Sequence, residues 1–151
     1  MVILMLLEND FLTDFRVRKE VHSLVEENHR VIVAGISGGN MAYKEVLPEC
    51  ILYRKKISSF YLKSSVGALK FPFYFNFWRS YIRDILKSEK VDAIHVHDLP
   101  LAKVGFELRD EKGIKMVLDL HENWPAFLEV SQHIQTILGR ILSTEKQWRI
   151  Y

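Results

Sequence analysis

Apolar and polar positions alternate between two periods along this chain. Val2 to Leu7 is a continuous apolar run, the pattern of a strand covered on both faces. Phe15, Val17, Val21, Leu24 and Val25 then recur at helical spacing, and Asn28 suits a left-handed helix stop. Arg30 to Ala34 predicts a second strand, Gly35, Gly38, Gly39 and Asn40 a loop, and Ile51 to Tyr53 a short third strand. A long helix is predicted over about Phe73 to Ser88, then a strand over 92–97. A helix follows from Pro100 to about Lys112, stopped by Gly113, and a strand over 115–120. Beyond Pro125, Ile134, Ile137, Leu138, Ile141, Leu142 and Trp148 keep a helical stripe. Strands alternating with helices predict an α/β domain with a doubly wound parallel sheet, ordered 3-2-1-4-5, and helices on both faces.

A length of 151 residues predicts one domain, and 48% hydrophobic with 26% charged residues is ordinary for a globular one. A single cysteine, Cys50, excludes an intramolecular disulfide and fits a reducing compartment. The apolar start ends at Glu8 and has no basic flank, so it reads as a strand rather than a signal peptide. No run approaches the roughly 20 apolar residues needed to span a bilayer. The expected location is cytoplasmic. Glu145 to Tyr151 carries no helix stop, so residues 1–151 read as one domain cut from a longer protein.

Two strands close on similar chemistry. Val91 to Pro100 ends in His97-Asp98 after His95, and Lys115 to Pro125 ends in His121-Glu122-Asn123. In an open parallel sheet, ligands bind outside the carboxyl ends of the strands. His97 and His121 stand at such ends and read as functional, whereas His95, inside its strand, reads as a core histidine hydrogen-bonded to backbone. Asp98 suits either a site or the N-cap of the helix at Pro100, and Glu122 and Asn123 equally suit the cap of the next helix.

Three other chemistries compete. His95 and His97 share a strand face and, with His121 and a carboxylate, resemble a zinc ligand set. A helix should cover His95, however, and no further ligand cluster is visible, so no metal is expected. Dinucleotide binding is disfavoured: Glu8-Asn9-Asp10-Phe11-Leu12 follows the first strand without a Gly-x-Gly-x-x-Gly, and the glycines at 35, 38 and 39 follow the second. A phosphoacceptor receiver domain is the alternative from another functional class, with Glu8-Asn9-Asp10 and Asp98 as its acidic pocket. Its second acid normally comes much earlier, and its closing Lys-Pro pair is absent.

From Arg54 to Arg83 the chain carries Arg54, Lys55, Lys56, Lys63, Lys70, Arg79 and Arg83 and no acid, so the rest is net acidic. Phe60, Tyr61, Phe71, Phe73, Tyr74, Phe75, Phe77, Trp78 and Tyr81 lie in the same span. Cations interleaved with aromatics suit an anionic membrane surface. The competing reading is a helix core with solvated lysines. No nucleic-acid motif is present, and none is expected as partner.

The segments together resemble the N-terminal, acceptor-side domain of a GT-B glycosyltransferase of the family 4 type. Asp14 to Leu24, with Asn28-His29-Arg30-Val31-Ile32-Val33, resembles the family's opening helix and second strand. Val91 to Asp98 resembles its His-x-His fourth strand, and Asp119-Leu120-His121-Glu122 the fifth-strand end that carries its functional histidine. Where many members have a Gly-Gly pair after strand one, this chain has Asn9-Asp10-Phe11-Leu12-Thr13-Asp14.

The resemblance implies a Rossmann-like sheet and retaining transfer of a sugar from a nucleotide-sugar to a glycan or lipid-linked acceptor. It implies no cofactor, the donor being a substrate held mainly by a C-terminal domain absent from this chain, so the domain alone is expected to be inactive. His121 is the implied catalytic contact. Asn9, Arg16, His97, Asp98, Glu122 and Asn123 are the substrate-binding candidates. Arg54, Lys55, Lys56, Lys63, Lys70 and Arg79 form the candidate patch for peripheral docking on the inner membrane face.

Overall fold

The computed structural model describes residues 1–121 together with Asn123, Ala126, Ile137 and Ile141. The predicted helical stripe beyond Pro125 otherwise lies outside these residues, as does Glu122. The first strand, β1 (Val2–Leu6), leads through a 3-10 turn at Phe11–Thr13 into α1 (Phe15–Glu26). Strand β2 (Arg30–Ser37) follows, then β3 (Lys44–Val46), β4 (Ile51–Lys56) and α2 (Ser59–Ser64). The chain continues through α3 (Phe73–Ser88), β5 (Ala93–His97), α4 (Leu99–Lys112) and β6 (Lys115–Asp119).

One six-stranded sheet runs β3-β4-β2-β1-β5-β6. All its pairings are parallel except β3 on β4. The five predicted strands keep their predicted order, and β3 is an extra antiparallel edge strand where a loop was expected. Three residues are too few for alternation to be readable.

Local chemistry sets the element ends. The Asp14 carboxylate accepts from the Arg16 and Val17 amides at 3.2 Å and caps α1. Asn28 takes φ 62° beyond the end of α1, and Gly113 takes φ 64° to end α4. Phe15, counted in the helical stripe, is 75% exposed. Two residues before Val17, it projects about 200° around the helix, away from the sheet. Strand β2 runs three residues past its predicted end because Gly35, Ile36 and Ser37 pair with Arg54, Lys55 and Lys56 of β4, and Gly35 admits the first loop, since a Cβ there would stand 3.0 Å from the Asn9 carbonyl oxygen.

Strand alternation divides the core. Leu4, Leu6, Ile32, Ala34, Ile94 and Val96 face α3 and α4, packing with Tyr74, Trp78, Tyr81 and Leu101. Met5, Leu7, Val31 and Val33 face α1, packing with Val17 and Val21. At α4 the fit leaves no room for a side chain on Gly105, whose Cβ would stand 2.5 Å from Val96 Cγ2. At the amino ends of the strands, the buried Glu89 carboxylate accepts from Arg30 and Lys44 at 2.9 Å and from the Tyr53 hydroxyl at 2.8 Å. Burial opposes its charge, but those hydrogen bonds and the Lys44 and Arg30 charges prevail and hold its carboxyl below the usual range.

Candidate functional site

The carboxyl edge of the sheet gathers the ends of β1, β5 and β6. Parallel register pairs Met5 with His95, Leu6 with Val96, and His97 with Asp119. The Asp98 amide donates to the Asp119 carbonyl at 2.9 Å, extending that pairing by one step. His121, just past β6, places Nε2 2.6 Å from Asp119 Oδ2. This carboxylate fixes the imidazole's direction, and the ring lies parallel to that of His97, 6.0 Å between centroids.

Asp98 has φ 67° and ψ 156°, a region that residues other than glycine rarely enter. It makes no capping hydrogen bond to α4, so the predicted N-cap role is not played. The turned backbone instead points its carboxylate at α1, where Arg16 Nη2 stands 3.8 Å away and also 4.0 Å from Asp14. Asn9 is exposed at the end of β1, and its carbonyl accepts from the Ile36 amide at 3.3 Å. Asn123 Oδ1 accepts from the Ala126 amide at 3.3 Å, the capping role the sequence allowed it. The structure thus joins Arg16 to Asp98 and His121 to Asp119.

His97 departs from expectation. Its strand-end position predicted access, but the residue is 1% exposed. Sharing a strand face with His95, it points beneath α1 rather than out of the edge. Its Nε2 is 3.7 Å from Glu20 Oε2, and its Nδ1 4.0 Å from Asp119 Oδ2. Burial first, then the neighbouring His95, pushes its pKa down to about 4, so the ring is neutral at neutral pH. His95 is not the satisfied core histidine expected either: its Nε2 has no hydrogen-bond partner and lies 4.0 Å from Glu20.

Glu20 and Asp119 were not singled out from sequence. Glu20 carried a legible signal, lying on the inward stripe between Val17 and Leu24. Asp119 joins only through strand register. Together they supply the ligand cluster that the sequence lacked beside His95 and His97. Glu8, at the end of β1, accepts a hydrogen bond from the Tyr74 hydroxyl; burial above all raises its pKa to about 7, and the charge of Asp98 adds to the rise.

The basic-aromatic span splits in two. Tyr74, Phe75, Phe77, Trp78 and Tyr81 are buried on α3, as the core reading predicted. Arg54 is also buried, ion-paired with Glu45 across β3 and β4, and Arg79 forks onto Glu107 at 2.6 and 2.8 Å. Neither is available to a membrane as the sequence suggested, because the sheet edge closes on one and α4 meets the other. Lys55 lies over the Phe77 and Tyr81 rings, 5.5 Å from each centroid. Phe60, Leu62, Phe71 and Phe73 remain exposed, as do Lys56, Lys63 and Lys70. Among the described residues, no helix is long and apolar enough to cross a membrane.

The profile of Glycosyltransferase Family 4 matches residues 16–150. No curated protein sequence matches the chain. Sucrose-phosphate synthase from Thermosynechococcus elongatus is similar in structure, with a TM-score of 0.63 at 15% identity over 93% of this chain and 38% of that one. The trehalose-6-phosphate structure from E. coli, bound with UDP-2-fluoro glucose, gives a TM-score of 0.56 at 13% identity over 88% and 36%. At these identities the likeness is one of fold, and this chain spans little more than a third of either relative. The receiver alternative falls with this match, and the Asp10 carboxylate is already engaged in capping the first 3-10 turn through the Leu12 amide. With nearly its whole length matched by the profile, and with histidines and acids brought to the carboxyl edge of a parallel sheet, the chain belongs to glycosyltransferase family 4 and has the Rossmann-like architecture of a GT-B half.

Proposed function

We propose that this domain is the acceptor-side half of a retaining glycosyltransferase that moves a sugar from a nucleotide-sugar to a glycan or lipid-linked acceptor. The observation that carries the reading is the 2.6 Å contact between His121 and Asp119 at the sheet edge where such folds bind ligands. Asp119 accepts from one ring nitrogen and leaves the other to meet a hydroxyl of the transferring sugar or of the acceptor. Arg16, beside the first loop, offers positive charge to donor phosphate while Asp98 holds it in place. Asn9, Asp98 and Asn123 line the acceptor approach. A second domain holds the nucleotide, and closure of the two excludes water and aligns the reactants, so this half alone turns over no substrate.

The test is His121→Ala in the protein carrying its donor domain. The expected result is a fall in kcat of about 100-fold, with little change in melting temperature, because the side chain is at an edge rather than in the core. Unchanged turnover in the folded variant would remove His121 from the reaction.

A membrane reading is favoured by one further observation. Phe60, Leu62, Phe71 and Phe73 are each between 46% and 61% exposed, in the same stretch of chain as exposed Lys56, Lys63 and Lys70. Apolar side chains flanked by cations suit peripheral docking on an anionic leaflet, where a lipid-linked acceptor would be found.

A further inference from the structure

The sheet face beneath α1 changes character across its width. Over β1 and β2 it is apolar, with Met5, Val31 and Val33 under Val17 and Val21. Over β5 and β6 the same face presents His95, His97 and Asp119, and α1 brings Glu20 above them. One ligating atom from each of these four residues lies within 4.8 Å of all the others. The Glu20 oxygen stands 4.0 Å from His95 Nε2 and 3.7 Å from His97 Nε2.

These separations are too long for hydrogen bonds. Glu20 Oε2, His95 Nε2 and both ring nitrogens of His97 are buried without a hydrogen-bond partner, and the His97 side chain is wholly enclosed. Buried polar atoms left without a partner are costly. Several such atoms converging on one small region call for a shared partner. Two imidazoles and two carboxylates around a tetrahedral zinc ion, with bonds of about 2.0–2.2 Å, would stand about 3.4 Å apart. The two Glu20 separations close to that with shifts of a few tenths of an ångström, and the widest in the set, up to 4.8 Å, closes with side-chain rotations of about an ångström. A divalent cation would also neutralise two carboxylates that otherwise face each other.

We propose that Glu20, His95, His97 and Asp119 bind one divalent transition-metal ion of the zinc type. The site is closed by four protein ligands and is structural, pinning α1 to β5 and β6. Through Asp119, which also holds His121, the ion fixes the direction of that imidazole, as hydrogen bonding around ligating carboxylates does at other metal centres.

The experiment is titration of the chelator-stripped chain with Zn²⁺ by calorimetry, with thermal melting as a second readout. Neither requires a sugar donor, so the result is independent of the proposed transferase reaction. The expected result is one equivalent bound and a higher Tm with zinc. Glu20→Gln and His95→Gln each weaken binding by at least about tenfold and abolish the rise in Tm. Both residues are half-buried, so these variants keep the enclosed His97 in place and are checked for folding by circular dichroism. Absence of binding overturns the proposal. So does binding that survives both variants but is lost in His22→Ala, which would place the ion on the surface pair of His22 and Glu26.

Discussion

Arg16 and Asp98 face each other at 3.8 Å across the carboxyl edge of the sheet, one from the first turn of α1 and the other from the end of β5. The pair exists because the Asp98 backbone is turned to φ 67°, which withdraws its carboxylate from the end of α4. Strain of this kind costs roughly 1–3 kcal/mol and persists where a site uses it.

Asp98→Gly is therefore expected to raise stability by about 1 kcal/mol, since glycine enters this region without strain and gives back part of the gain as chain entropy. If the proposed transferase reading holds, turnover of the protein carrying its donor domain falls as well, because Arg16 loses the group that holds it. Chemical denaturation and initial rates measure the two effects. A less stable Asp98→Gly variant would show that the turned backbone carries no strain.

Glu8 gives the domain a specific pH dependence. Burial raises its pKa from 4.5 to about 7, so the folded chain holds a proton that the unfolded chain releases. Stability gained from this group is complete below the unfolded value. It declines between pH 4.5 and about 7, with a slope of at most about 1.4 kcal/mol per pH unit, and levels off above. Glu8→Gln is expected to flatten this part of the curve, measured by urea denaturation across that window. A wild-type profile that rises with pH through the window would contradict the assignment.

The proposed membrane docking is tested by reversing charge at exposed lysines. Lys56, Lys63 and Lys70 changed together to Glu should abolish cosedimentation with anionic vesicles, each cation near such a surface being worth about 1 kcal/mol. High salt should weaken wild-type binding but leave a remnant from the exposed Phe60, Leu62, Phe71 and Phe73. Equal binding to neutral and anionic vesicles, or none to either, would refute docking.

Much of the fold was legible because its core segments are chemically unmixed. Val2 to Leu7 is apolar throughout, the strands at 92–97 and 115–120 keep apolar residues at alternate positions, and the helix predicted from Phe73 ends at Ser88 as expected. Helix α2 was not legible: its six residues make barely more than one turn and bury no side chain. The site was legible as an edge but not as a set of contacts. Period-2 alternation placed His95 and His97 on one face, yet it could not say that α1 would set a carboxylate over them. Nor could it show that His97 would be sealed while His121, two residues beyond its register partner, stayed reachable. Those facts belong to packing between segments far apart in sequence.

The Glu89 cluster at the opposite edge has a consequence for how the domain can change. One carboxylate there ties β2, β3 and β4 to the end of α3, so the sheet is fastened at the end remote from ligand. Loops at the carboxyl edge can then be exchanged, lengthened or retuned while the frame beneath them keeps its alignment. The domain is built like a brush, bound at the handle and free at the bristles, and grafting a relative's edge loops onto it is the natural route to altering the acceptor choice proposed for it.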